Sequence, residues 1–395
     1  MRKVIVSLTT YPARIAGIRR VLDSLMRQTY KPDKVVISLA EDQFDRKMVP
    51  VDLSPYIAKG LEIHWCQHDM KAHKKYLYAL QEYHDSYVIT VDDDFYYDCY
   101  LVEELVRNAE RFPGCVLARR SHLITADRLG NIAPYEKWWS ECIHYVEKPR
   151  MDLFAVGCGG ILYPPNAVNR EAFNIENVKR YCLYADDIWL KIMELMNNTP
   201  VVQIDTRYYD IYHSEYRRDG LYQNYNGNGG NDKQLHELLN AYCHLWEQSK
   251  PIEKKIFSDG MVYEDEVEAG KLTDDKNYID TWIKGLERYQ KIVLYGAGTM
   301  AERVYRILEK YHYEDRVTAF VVKDPLQNPG EIEKVKVVQY QQLDYRGAAC
   351  IICLKNKEQQ LLMNQELLRS GLEEWQILRL NDRMQRIIGR QLAKG

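Results

Sequence analysis

The sequence predicts an α/β protein with two parts: a larger N-terminal domain with a mainly parallel sheet flanked by helices, and a smaller C-terminal α/β domain. Three observations carry this. Short β-rich apolar runs alternate with helical patterns through the first half. A charged stretch without strand signal follows over residues 251–290, and a new strand, glycine turn and helix begin at Lys291. The chain has 395 residues, 46% hydrophobic and 28% charged, enough for two or three domain-sized cores. We therefore expect a domain over 1–250, a helical linker over 251–290 and a second domain over 291–395.

Taken in order, Val4–Leu8 reads as a strand, followed by a Pro-containing loop and a helix over Ile18–Arg27. Val35–Leu39 and Leu61–Trp65 are the next strands, and Lys74–Tyr83 has helical character. Tyr87–Val91 is a fourth strand that runs into Asp92, Asp93 and Asp94. Leu101–Arg111 reads as a helix, Cys115–Ala118 as a strand, Ala185–Met196 as a helix opened by carboxylates and Val201–Ile204 as a strand. The run NYNGNGGND at Asn224–Asp232 is too rich in Gly and Asn for regular structure and reads as a loop or lid. In the second domain, IVLYGAGTMAERVYRILEKY is strand, glycine turn and helix, with later strands at Val317–Val322, Cys350–Leu354 and Trp375–Leu380 and a basic helix at the end.

Composition removes several function classes. Lys+Arg 54 against Asp+Glu 57 leaves a formal net charge of −3, so no general nucleic-acid binder is expected. No apolar run approaches the ~20 residues that span a bilayer. The start, MRKVIVSLTTYPARIAG, turns polar too soon for a secretion signal, so the expectation is a soluble cytoplasmic chain. Nine scattered cysteines read as reduced thiols. Cys350 and Cys353 form a CxxC inside the apolar run AACIICL, and a buried strand is expected there because no second ligand pair for zinc accompanies it.

The acidic strand end carries the first chemical signal. In an extended backbone Asp92 and Asp94 project to one side and Asp93 to the other. Paired carboxylates suit Mg2+ or Mn2+, which binds one or two of them together with phosphate oxygens, so a nucleotide-diphosphate site is expected. The bland reading is an acidic, solvated turn.

Further motifs accompany it: SLTTYPARI at the first strand, VDDD at the fourth, GCGGILYPP at Gly157–Pro165, ADDIWL at Ala185–Leu190 and YHS at Tyr212–Ser214. Through their order and spacing the chain resembles the family 2-like glycosyltransferases of the GT-A fold, over about residues 1–245. The resemblance implies a metal-dependent transfer of a sugar from a nucleotide-diphosphate sugar, a UDP-sugar in the family expectation. The acceptor would be a hydroxyl of a glycan or lipid-linked molecule, with inversion, in bacterial surface polysaccharide biosynthesis. It places Thr9, Thr10, Arg14 and Glu41 in the nucleotide pocket, Lys75 toward the nucleotide, and Asp92 and Asp94 as the DxD pair, with Asp94 the stronger metal ligand. Gly159 and Gly160, with Gly157, would let backbone approach the donor sugar. Asp187 would deprotonate the acceptor beside an orienting Asp186, and His213 would complete the metal shell. Standing alone, each has an ordinary structural reading: helix-start acids, a turn glycine, a surface lysine, a core histidine.

LYGAGTMAERV sets Gly296 and Gly298 between a strand and a helix, and Asp324 follows the next strand, the context of a second nucleotide site. This region resembles the small Rossmann-like domains attached to bacterial polysaccharide-biosynthesis proteins. NAD(P) chemistry is not expected, because after Asp324 few residues remain for a substrate domain and no Tyr-x-x-x-Lys pair appears there. Two alternatives stand beside the transferase reading: an NAD(P)-dependent sugar-nucleotide oxidoreductase or epimerase centred on this glycine turn, and a non-catalytic sugar-nucleotide-binding protein. The basic segment Arg383–Lys394, with Ile387, Ile388 and Leu392, reads as packing on its own domain before it reads as a peripheral contact at the inner face of a membrane.

Overall fold

A computed structural model describes residues 2–206, 211–212, 220–246, 252–380 and 382–391. The chain divides into two compact units, residues 1–208 with 215–274, and residues 209–214 with 275–395.

The first unit is built on a seven-stranded sheet in the order Val201–Gln203, Val116–Ala118, Ile161–Tyr163, Tyr87–Thr90, Val4–Thr9, Lys34–Ala40 and Leu61–Cys66. All neighbours pair parallel except at Ile161–Tyr163, which runs antiparallel to both of its neighbours. Side chains of the first strand alternate between two cores. Val4, Val6 and Leu8 join the cluster containing Ile18, Val21 and Leu22 of helix Ile18–Met26 and Leu101, Val102 and Leu105 of helix Leu101–Arg111. Ile5 packs the other way, with Val36, Ala79 and Val88. Burial on both faces is why these strands read as continuous apolar runs. Helix Asp186–Met196 lies in the other large core, with Trp189 fully enclosed. The expected fold class, a mainly parallel α/β domain flanked by helices and followed by a smaller α/β domain, is the one observed.

Several local expectations need refinement or correction. Lys74–Tyr83 has its expected helical character, divided into two short helical turns, Lys74–Leu77 and Ala79–Glu82. All four residues of the first turn are buried, so it lacks the one-sided pattern of a surface helix. The run Asn224–Asp232 is more regular than its composition suggests: Tyr222–Asn226 forms a π turn and a long helix, Gly230–Trp246, starts inside it. Glycine is required at that entry, because a Cβ on Gly230 would collide with the Tyr225 carbonyl oxygen and Gly229 has φ +84°. The stretch expected as a linker is helical, but its first half adds Ile252, Ile256, Phe257 and Val267 to the core of the first unit.

The second unit has five parallel strands in the order Val335–Gln339, Val317–Val322, Lys291–Tyr295, Ala348–Ile352 and Ile377–Arg379, with Glu331–Ile332 antiparallel at one edge. Cys350 and Cys353 are buried there, and burial pushes both thiols up, as a strand core requires. In the final helix, Asp382–Gln391, Met384, Ile387 and Ile388 are buried. The apolar face that would have lain on a membrane is therefore already covered, and Leu392 lies outside the described residues. Among the described residues no helix is long and apolar enough to cross a membrane.

Candidate functional site

The site sits at the carboxyl ends of the Val4–Thr9 and Tyr87–Thr90 strands, the edge where open parallel sheets bind ligands. The latter strand ends at Thr90, so Asp93 and Asp94 lie in a turn and not in extended backbone. This overturns the expectation that Asp93 points away. Asp93 is buried, accepting from Thr10 Oγ1 at 2.6 Å and Arg14 Nη1 at 2.8 Å. Asp94 Oδ2 accepts from the same Arg14 nitrogen at 3.1 Å. Burial, and then the negative charges of Asp92 and Asp93, push Asp94 up to about 7. Tyr97 fixes the turn from below, its hydroxyl accepting the Asp92 N–H at 2.8 Å.

Asp92 takes a different partner. Its Oδ1 accepts from Lys75 Nζ at 2.8 Å, and the same nitrogen is 2.8 Å from Asp186 Oδ2. Lys75 is 3% exposed. Burial alone would lower its pKa, but Asp186, Asp92 and Asp187 outweigh that and raise it well above the ordinary lysine value. One buried ammonium thus ties the acid turn to the acid pair at the start of helix Asp186–Met196.

Within that pair the two carboxyls diverge. Burial acts to raise Asp186, but the Lys75 charge and hydrogen bond hold it below the ordinary range. Asp187 is pushed up to about 8, first by burial and then by the charge of Asp186. Its Oδ2 accepts the Gly157 N–H at 3.0 Å, while its Oδ1 is buried with no hydrogen-bond partner. Two neighbouring acids with separated proton affinities are the arrangement from which acid and base roles arise.

The glycine loop serves more than one purpose. At Gly157 a Cβ would lie 2.9 Å from Lys75 Nζ and 3.0 Å from Asp187 Oδ1, so bare backbone at this position is what lets the two charged groups converge. Gly159 and Gly160 are held by packing: a Cβ would meet Arg120 Cβ at 2.7 Å and Leu101 Cδ1 at 2.7 Å, and Gly160 has φ +84°. Of the other expected donor contacts, Thr9 Oγ1 donates to Ser38 O at 2.7 Å within the sheet, and Glu41 is an exposed partner of Lys47 at 2.8 Å. His213 lies outside the described residues. In the second unit Gly296 has φ +116°, and Asp324 caps its own turn, accepting from the Leu326 N–H at 3.0 Å and Gln327 Nε2 at 2.9 Å.

Asp92 and Asp94 are the residues that would hold a hard divalent cation. Asp92 Oδ2 and Asp94 Oδ1 carry no cationic partner among the described residues, and it is like-charge crowding that helps to raise Asp94. No set of three His, Cys, Asp or Glu side chains is arranged around a metal position among the described residues. Two carboxylates plus ligand phosphates are nevertheless a sufficient set for Mg2+ or Mn2+.

Sequence reasoning missed Arg120, whose Nη1 donates to Cys158 Sγ at 3.1 Å and whose Nη2 is 2.5 Å from Glu141 Oε1. It also missed Tyr135, held above the ordinary tyrosine range by burial and the nearby Asp187 charge. Neither stands in a motif; only the fold brings them to the loop.

No family model and no curated protein matches the chain. Among solved structures it is similar to S. aureus TarS at 14% identity, covering 78% of this chain and 48% of that chain, with a TM-score of 0.37. A structure of S. aureus TarS 1–349 is similar at 15% identity, covering 79% of this chain and 90% of that one, with a TM-score of 0.35. The chain spans about half the length of the first of these. Likeness at this level transfers no residue role.

Proposed function

We propose that the protein transfers a sugar from a nucleotide-diphosphate sugar, a UDP-sugar first among the candidates, to a hydroxyl of a glycan or lipid-linked acceptor in the building of a bacterial surface polysaccharide. The observation that supports this reading is the buried, unpartnered Asp187 Oδ1 facing the Gly157 backbone, in one cluster with Asp92 through Lys75.

In this reading Asp187 takes the proton of the acceptor hydroxyl, whose oxygen attacks the anomeric carbon as the bond to the diphosphate breaks. A single displacement inverts the configuration. Asp186, held ionised by Lys75, orients the acceptor. Asp92 and Asp94 would hold Mg2+ or Mn2+, which when bound neutralises charge on the departing diphosphate. Arg14 and Thr10 fix the shape of that acid turn.

The test is a panel of sugar nucleotides offered to wild type and Asp187→Asn, read by nucleotide release and by calorimetric UDP binding with Mn2+. Asp187→Asn should retain UDP binding and lose turnover by 100-fold or more. Equal turnover in the two proteins would sink the reading, and UDP binding with no turnover in either would favour a binding protein.

A further inference from the structure

Lys75 stands where the transfer as described gives it no substrate to touch. Its side chain is 4% exposed, and its Nζ already serves Asp92 and Asp186 at 2.8 Å each. Its backbone carbonyl accepts from Ser7 Oγ at 2.6 Å, which pins its turn to the first strand. Asp187 Oδ1 is close by, since Nζ and that oxygen lie 2.9 and 3.0 Å from one point above Gly157. An ammonium has three N–H groups; one donates to Asp92, and the charge pairs with Asp186 as well. Two carboxylates from distant segments, Asp92 and Asp186, therefore share one cation, and the charge of Asp187 acts on it from nearby.

We propose that Lys75 is a positioning residue that divides its charge between the donor side, Asp92, and the acceptor side, Asp186 and Asp187. When Asp92 is drawn to an incoming cation-bound diphosphate, the ammonium is left to the acid pair and orders it for the acceptor. Lys75 thereby links donor loading to readiness of the base. The inference rests on the proposed transferase reading. It also departs from the expectation that Lys75 faces the nucleotide, and the two assignments predict opposite signs.

The experiment compares wild type, Lys75→Met and Lys75→Arg by calorimetric titration of UDP with and without Mn2+, and by turnover of the sugar nucleotide that wild type accepts. Lys75→Met frees Asp92, so Mn2+-dependent UDP affinity should stay equal or tighten up to several-fold, while kcat falls 100-fold or more. Lys75→Arg should recover part of kcat. A ten-fold loss of UDP affinity in Lys75→Met, or an unchanged kcat, overturns the proposal. Should Lys75→Met fail to fold, Asp186→Asn supplies the reciprocal reading. It leaves Lys75 wholly to Asp92 and should weaken Mn2+-dependent UDP binding about five-fold although Asp186 touches no donor; unchanged affinity overturns the proposal. If wild type neither binds UDP nor turns over any sugar nucleotide, the transferase reading fails and this inference falls with it. Binding and turnover in wild type with insensitive variants overturn this inference alone.

Discussion

A methyl group on Gly157 would press on Lys75 Nζ and Asp187 Oδ1 together. Gly157→Ala should therefore lower turnover by at least ten-fold with an unchanged circular-dichroism spectrum, because it displaces charged tips rather than core. Asp187 also sets a pH dependence. Its carboxyl moves from an ordinary 3.8 to about 8 in the folded protein. A group whose folded value is raised stabilises below its unfolded value, and that contribution is lost as pH rises through the folded one. Asp187→Asn should accordingly melt higher than wild type at pH 8 and show a smaller difference at pH 4. For the same reason kcat/KM of wild type should climb with pH along an acid limb centred near 8, since the base must be ionised to act. A flat profile between pH 6 and 9 would contradict this assignment. The acids themselves were legible through their places after a strand and at a helix start within an ordered set of motifs, since DD alone recurs at Asp274 and Asp275. Their orientation was not: period-two reasoning holds only while the backbone stays extended, and the strand stops at Thr90. The Lys75–Asp186 contact was also beyond reach, since no local pattern joins residues so far apart along the chain.

Elements whose boundaries are set by their own residues were the readable ones. Leu101–Arg111 and Val317–Val322 match their expected limits, the first through one apolar stripe and the second through an unbroken apolar run. Helix Lys357–Arg369 and the antiparallel pair Ser121–Leu123 with Leu153–Ala155 were not foreseen. The pair is held by partners remote in sequence, and its strands are too short to show alternation. Packing between elements yields a further prediction. A Cβ on Gly270, within helix Val267–Gly285, would lie 2.0 Å from Cη2 of the buried Trp139. Gly270→Ala should cost about 1–3 kcal/mol in urea unfolding, the usual range for overpacking, despite the better helix propensity of alanine. No loss would mean that the indole can move aside.

At the scale of the molecule, the change of composition near residue 251 and the new strand at Lys291 announced two units, but not where one core stops. Ile252 and Val267 join the first core through contacts that composition does not encode. If the acid cluster is the ligand site, UDP with Mn2+ should slow amide exchange around residues 75, 92–94, 157–160 and 186–187, and leave the turn after Tyr295 unchanged. Protection at the second turn instead would move attention to Gly296 and Gly298. The salt link from Arg14 to both Asp93 and Asp94 reaches further. Because a side chain of the protein already balances part of this acidic turn, its shape does not wait for an ion. If the turn holds the proposed cation, a chelator should strip away nucleotide affinity yet leave the melting temperature where it was, and the protein would pass through metal starvation as an intact fold that resumes work on resupply.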